Sequence, residues 1–288
     1  MDRGRIENQL MTTAGVIDGM PDQEYRATPA LSVSGAKLLL PPSCPAKFKW
    51  ERDNGRESKP AWDLGHAVHQ MVLGVGAEIR VIEADDWRTN AAKAQRTEAY
   101  AEGAVPLLRK DYEPIAAMVA AVRADPMASR LLDPSSGRAE VSLFGVDEPT
   151  GVNLRGRVDW LPAPRDGRMI LPDLKTAASA EPESFAKSAA NYGYHMQSPF
   201  YQDLVTALGL ADEVVFVFVV VETTPPHVVS VIQLDEEAER IGRQLNRQAI
   251  DIYARCTETD IWPAYSDDVA LVQLPRWYAR QHEEQQQW

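Results

Sequence analysis

The sequence predicts an α/β fold, with a central mixed β-sheet covered by helices on both faces. Three observations lead there. Helical periodicity dominates the chain up to about residue 133, and three extended segments then follow in quick succession between 140 and 175. Beyond them helix and strand patterns alternate as far as residue 255, an order that one helix-covered sheet accommodates. Within that stretch, 214–221 is an unbroken apolar run of eight residues, rich in valine, the pattern of a strand buried on both faces.

Taken in order, residues 1–27 read as a flexible N-terminal segment, because Gly4, Gly15, Gly19 and Pro21 interrupt any period. Ser32 or Ser34 caps a short helix through Leu38 and Leu40, which Pro41-Pro42 stops. A helix over 60–73 carries Leu64, Val68, Met71 and Val72 on one side. Residues 90–133 predict one or two helices. The clearer spans 112–124, with Ile115, Met118, Val119 and Val122 as its stripe and Pro126 as its end. Strands over 140–146, 154–160 and 168–175 are separated by Pro149-Thr150-Gly151 and by Pro164-Arg165-Asp166-Gly167. A helix over 196–208 precedes the strand at 214–221, and 228–232 pairs beside that strand. The last helix follows Leu234, with Asp235, Glu236, Glu237 and Glu239 in its first turn and its arginines later, as the helix dipole favours. No linker interrupts residues 30–265. The expectation is one domain over 28–265, helical to about 135 with the sheet core from about 139, and a tail over 266–288.

The 44% apolar and 25% charged content is that of an ordinary globular chain and argues against disordered, collagenous and membrane classes. No N-terminal signal is readable, and two cysteines cannot make a disulfide framework or a four-cysteine metal site; a cytoplasmic location is expected. The 30 Lys+Arg against 42 Asp+Glu, a net charge of −12, counts against a nucleic-acid partner if the charge is evenly spread. It is not. Residues 34–60 hold six Lys+Arg against three acids, whereas 233–268 hold four arginines against nine acids. Lys47, Lys49 and Arg52 are therefore expected to face DNA if DNA is bound.

The strongest chemical signal is Pro172-Asp173-Leu174-Lys175 at the end of a predicted strand. Residues two apart share a strand face, so Asp173 and Lys175 point one way and Leu174 points into the core. One strand earlier Asp159 shares a face with Arg155 and Arg157 by the same alternation. Adjacent strands then gather Asp159, Asp173 and Lys175 at one edge. Two carboxylates beside a lysine suit a Mg²⁺ held through few protein oxygens and several waters, an ion that assists phosphoryl transfer. Spacing alone leaves open that these are solvated strand ends. His66 and His69 have the spacing of a helical zinc pair but lack a third ligand, and Gly65 could simply permit close helix packing.

Further motifs carry a resemblance. Gly65-His66-Ala67-Val68-His69 resembles the G-x-x-x-H element of RecB-type nucleases, with Glu140 following at the opening of the first strand. Asp159 with Asp173-Leu174-Lys175 resembles the split P-D…(D/E)-x-K motif, and Gln197-Ser198-Pro199-Phe200-Tyr201 the Q-x-x-x-Y element. More narrowly, Leu31 to Phe48, the Ala/Lys-rich middle and Ser184 to Tyr201 are similar to phage and prophage exonucleases of the exodeoxyribonuclease VIII (RecE) type, over roughly residues 28–262.

The resemblance implies a restriction-endonuclease-like core of the PD-(D/E)XK superfamily. It implies a Mg²⁺-dependent exodeoxyribonuclease, with Mn²⁺ substituting, that acts 5′→3′ on linear double-stranded DNA. The product 3′ tails would pass to a RecT-like annealing protein, and a ring-shaped homo-oligomer and, for a phage-encoded chain, a bacterial host cytoplasm are further implications. Asp159 and Asp173 are then metal ligands, the Leu174 carbonyl a third, and Glu140 an auxiliary acid. His69 contacts the metal or the scissile phosphate, and Lys175 assists the attacking water. Gln197 and Tyr201 contact DNA or order the site, and Arg155 and Arg157 are further DNA-binding candidates. Cys44-Pro45-Ala46-Lys47-Phe48 has the form of one iron–sulfur ligand segment, but its three companion cysteines are missing, so no cluster is expected. Three other readings fit the same residues: an endonuclease on this fold, a non-catalytic DNA-end scaffold, and an acidic interaction module built on the helix after 234.

Overall fold

The computed structural model describes residues 14–55, 60–75, 78–102 and 104–285. In chain order its elements are β1 (Gly15–Ile17), α1 (Asp22–Ala27), α2 (Val33–Leu39), α3 (Pro45–Asn54), α4 (Pro60–Leu73), β2 (Ile79–Ile82), α5 (Asn90–Ala101), β3 (Val105–Leu108), α6 (Arg109–Ala124) and α7 (Pro126–Leu131). There follow β4 (Gly137–Asp147), β5 (Val152–Pro162), β6 (Arg168–Ala177), α8 (Pro182–Tyr192), α9 (Tyr194–Ala207), β7 (Glu213–Glu222), β8 (Val229–Ile232), α10 (Glu236–Thr259) and α11 (Arg276–Gln285).

The α/β architecture follows from where the apolar residues lie. Strand β7 alternates between two cores: Phe216, Phe218 and Val220 join the one beneath α2, α8, α9 and α10, while Val219 and Val221 join the one beneath α4, α6 and α7. Each of these side chains contributes roughly 1.5–3 kcal/mol on burial, so the strand cannot leave the sheet interior. Helix starts follow local chemistry. The Ser32 hydroxyl accepts the Gly35 N–H at 3.2 Å, and the Asp235 carboxylate accepts the Ala238 N–H at 2.8 Å.

Two ladders form the body. β4 and β5 make an antiparallel hairpin with β1 added outside β4; β6 and β7 run parallel, with β8 antiparallel beyond β7. β5 and β6 lie side by side, yet among the described residues no ladder joins them. The Leu174 N–H, free of a strand partner there, donates to the Asp159 carboxylate at 2.8 Å. The single sheet expected from the sequence is therefore two ladders that part between the strands carrying Asp159 and Asp173.

Several local expectations are corrected. Residues 14–27 are built into the fold as β1 and α1, because Arg155 donates to the carbonyls of Tyr25, Arg26 and Thr28 and Arg157 to that of Met20. Glycine and proline spacing says nothing of such a tertiary clamp. The four-residue strands β2 and β3, paired parallel, are too short for their period to stand out, and α8 escapes detection as well. Lys47, Lys49 and Arg52 are engaged by the chain's own C-terminal segment. Lys47 lies over the Tyr265 ring at 5.1 Å, Lys49 pairs with Asp260 at 3.4 Å, and Arg52 lies over Trp262 at 4.8 Å. The expected DNA-facing patch is thus covered in part by the acidic flank. Cys44 and Cys256 are buried free thiols. Among the described residues no helix is long and apolar enough to cross a membrane. The His66 side chain and residues 1–13 lie outside the described residues.

Candidate active site

Where the two ladders part, strand β6 points Asp173 and Lys175 toward the helix pair α8–α9 and sends Leu174 into the opposite core, as period-two alternation requires. Asp173 is 3% and Lys175 17% exposed at the side chain, and the two form an ion pair through Asp173 Oδ2. The other oxygen, Oδ1, accepts from Gln197 Nε2 at 2.7 Å. Burial pushes the Asp173 carboxyl up to about 6 against the opposing pull of Lys175. Burial also works against the Lys175 ammonium, but Asp173 and Asp159 together hold its proton more tightly than usual. Lys175 therefore keeps its charge in this arrangement.

Asp159 and His69 close the other side. Asp159 Oδ2 accepts the Leu174 N–H and lies 3.5 Å from His69 Nδ1. His69, on α4, places Nε2 2.7 Å from the Leu174 carbonyl oxygen. A carbonyl only accepts, so Nε2 carries the hydrogen and donates. One residue, Leu174, thus has its N–H on Asp159 and its carbonyl on His69.

The fit to a divalent cation rests on donor chemistry. Asp173 Oδ2 is buried and, apart from its ion pair with Lys175, has no hydrogen-bond partner. Two carboxylates and a backbone carbonyl are hard oxygen donors of the kind Mg²⁺ takes while keeping several waters. Among the described residues no group of three or more His, Cys, Asp and Glu is arranged to hold a metal, which speaks against a closed zinc-type cage. The residues fit a sparsely ligated hard cation.

Comparison with known families decides the family. A family described as "PDDEXK-like domain of unknown function (DUF3799)" matches residues 32–275, most of the chain. The chain belongs to this PDDEXK-like family. The PDDEXK-like chain is also similar to the crystal structure of a candidate exonuclease from Eubacterium rectale, with a TM-score of 0.59 at 15% identity over 91% of this chain and 97% of that one. At that identity the likeness shows the fold alone. A phage-related exonuclease from Haemophilus somnus 129PT is matched over 81% of this chain and 96% of its own at 12% identity, but its TM-score of 0.33 carries no weight for the fold. No curated protein matches the chain.

Within the PDDEXK-like site, Gln197 takes the site-ordering one of its two expected roles. Gln197 grips Asp173 and does not face outward. Tyr201 is buried, and that burial holds its phenolic proton well above the usual tyrosine range. Arg155 and Arg157 clamp residues 20–28, with the Tyr25 ring 5.0 Å and 4.2 Å from their guanidinium carbons. Arg155 and Arg157, the expected DNA-binding arginines, are thus turned inward. The Leu174 carbonyl, expected to ligate metal, is already engaged by His69, which leaves it one lone pair. Glu140 does not open a strand but interrupts β4: Ala139 pairs with Trp160 and Val141 with Val158, while Glu140 lies between them opposite Asp159 with φ 47°. Two residues that sequence reasoning missed are Tyr194, whose ring centroid lies 5.2 Å from Lys175 Nζ, and Lys37, whose Nζ lies 5.7 Å from the same centroid. Nothing in their spacing marks them.

Proposed function

We propose that this chain is a divalent-cation-dependent exodeoxyribonuclease acting on the ends of linear double-stranded DNA, 5′→3′, leaving 3′ single-stranded tails for an annealing partner. The observation that carries the reading is the convergence of Asp159, Asp173 and Lys175 where β5 and β6 part, with a buried Asp173 oxygen lacking a hydrogen-bond partner. Membership of a PDDEXK-like family supports it, as does a fold shared with a structure named as a candidate exonuclease. The 5′→3′ polarity, the annealing partner and a ring-shaped oligomer rest on the sequence resemblance.

In hydrolysis water attacks phosphorus, one bridging P–O bond breaks, and the leaving oxygen takes a proton. A cation bound by Asp159 and Asp173 would polarise the phosphoryl group and ease water ionisation. Lys175, charged in this arrangement, stabilises negative charge accumulating on the phosphoryl oxygens or the attacking water. Gln197 fixes the Asp173 carboxylate, and His69 holds the Leu174 peptide, so the acids keep their aim without reorganisation.

Incubation with 5′-phosphorylated linear duplex should release nucleotides in Mg²⁺ or Mn²⁺ and stop in EDTA, while covalently closed circles of the same sequence stay intact. Cutting of the circle would replace the exonuclease reading with an endonuclease one; activity unaffected by EDTA would contradict the cation.

Glu140 gives a second expectation. A left-handed φ at a non-glycine residue costs roughly 1–2 kcal/mol, strain of the kind that clusters at functional sites. Glu140→Gly should therefore keep or raise Tm while lowering DNA hydrolysis by about tenfold, the lower end of what loss of a residue supporting a metal site costs. A lowered Tm with full activity would remove Glu140 from the site.

A further inference from the structure

Lys37 sits on α2, far in sequence from the carboxylates, and its half-buried side chain follows a specific path. A Cβ built on Gly193 would lie 2.9 Å from Lys37 Cε, 3.1 Å from Cδ and 3.4 Å from Cγ. Gly193 also has φ 67°, the left-handed turn that ends α8 and lets α9 begin. Glycine there keeps open the lane along which the lysine stem runs. At its end Nζ lies 5.7 Å from the centroid of the Tyr194 ring. Lys175 Nζ lies 5.2 Å from the same centroid. The ring is a fixed platform, stacked on Phe185 at 5.6 Å and tilted against Phe218 at 5.5 Å.

Two ammonium groups thus lie against the ring of one tyrosine. Lys175 is committed to Asp173. A DNA strand, however, brings neighbouring phosphates along with the one being hydrolysed, and these need positive charge in a chain of net charge −12. We propose that Lys37 is a substrate-positioning residue that binds a backbone phosphate next to the scissile one, held in place by Gly193 and Tyr194. This rests on the nuclease reading above.

Such a contact binds ground and transition state alike, so its loss raises KM more than it lowers kcat. The test compares full-length wild type, Lys37→Met and Lys37→Arg. Methionine keeps an apolar stem over Gly193 without the charge, and Lys37→Gln serves if that variant does not fold. Steady-state hydrolysis of linear 5′-phosphorylated duplex in Mg²⁺ gives KM and kcat. Binding of the same duplex in EDTA, from about 50 to about 200 mM salt, gives the salt slope. Lys37→Met should raise KM about tenfold, leave kcat less affected, and make the slope of log K against log salt shallower by about 0.9, one phosphate contact on duplex. Lys37→Arg should stay close to wild type. A wild type that hydrolyses DNA and an inactive Asp173→Asn, together with a Lys37→Met variant unchanged in KM and slope, would overturn the role of Lys37 alone. A fall in kcat with KM and slope unchanged would also overturn it. A wild type that does not hydrolyse DNA would overturn the nuclease reading, and this inference with it.

Discussion

Asp173→Asn is expected to lower DNA hydrolysis by at least about 10³-fold, the consequence of losing roughly 4 kcal/mol of transition-state stabilisation. Its Tm should stay level or rise. The folded chain holds the Asp173 proton more tightly than an unfolded chain does, since burial raises the group to about 6 from its ordinary 3.8. Its contribution to stability is therefore greatest below 3.8 and declines as pH rises through about 6, the reverse of a salt-bridged surface aspartate. At neutral pH without a cation, ionised Asp173 is a cost that asparagine removes. Lys175→Met should match it in lost activity and oppose it in stability. Asp173, 3% exposed at the side chain, would keep its burial and lose its counter-charge. Breaking a buried pair from one side costs about 3–5 kcal/mol, and protonation of Asp173 brings the loss toward the lower end. Thermal unfolding at neutral pH, run beside the activity assay, checks both. If the two variants shifted Tm in the same direction, the electrostatic description of the pair would be wrong.

Gly242→Ala is expected to be the most destabilising single methyl addition in this region. A Cβ there would sit 1.7 Å from the His195 carbonyl oxygen, where α10 crosses α9. The obstacle is backbone, so no rotamer change relieves it, and the helices must separate. Overpacking of this kind costs about 3 kcal/mol or more, a fall of roughly 6–12 °C in Tm for a chain of this size. The same crossing is tied by Asn246 Nδ2 donating to the Met196 carbonyl at 2.9 Å, one residue before Gln197. Separation of the helices should therefore pull Gln197 from Asp173 and lower activity beyond the loss of folded protein. An unaltered urea midpoint would mean that the helices do not meet as closely as described.

The parts of the fold legible in the sequence were those with a strong period and a large apolar content. The run 214–221 is β7 because its valines and phenylalanines have two cores to fill, and α10 starts at Asp235 because that side chain caps it. Asp159, Asp173 and Lys175 were legible because strand alternation and motif order agree. What escaped were features set by tertiary partners. The gap between β5 and β6 exists because a carboxylate, not a strand, takes the Leu174 N–H. Gln197 and Tyr201 were correctly placed on one helix, but whether they face DNA or the protein depends on which strand lies beneath them. Arg155 and Arg157 looked like phosphate ligands because arginines on an open strand would be; the segment before Leu31 fills that place. Lys37 reaches the Tyr194 ring past Gly193, a path that no spacing rule encodes.

The central claim is that the acids and lysine where β5 and β6 part hydrolyse DNA. Its most direct test is the time course of acid-soluble nucleotide released from a 5′-phosphorylated linear duplex by purified wild type and by Asp173→Asn, in Mg²⁺ and after EDTA. Sustained release by wild type, arrested by EDTA and absent from the folded variant, is the predicted result. Equal release by both proteins, or none by a folded wild type with Mg²⁺ or Mn²⁺, would contradict it.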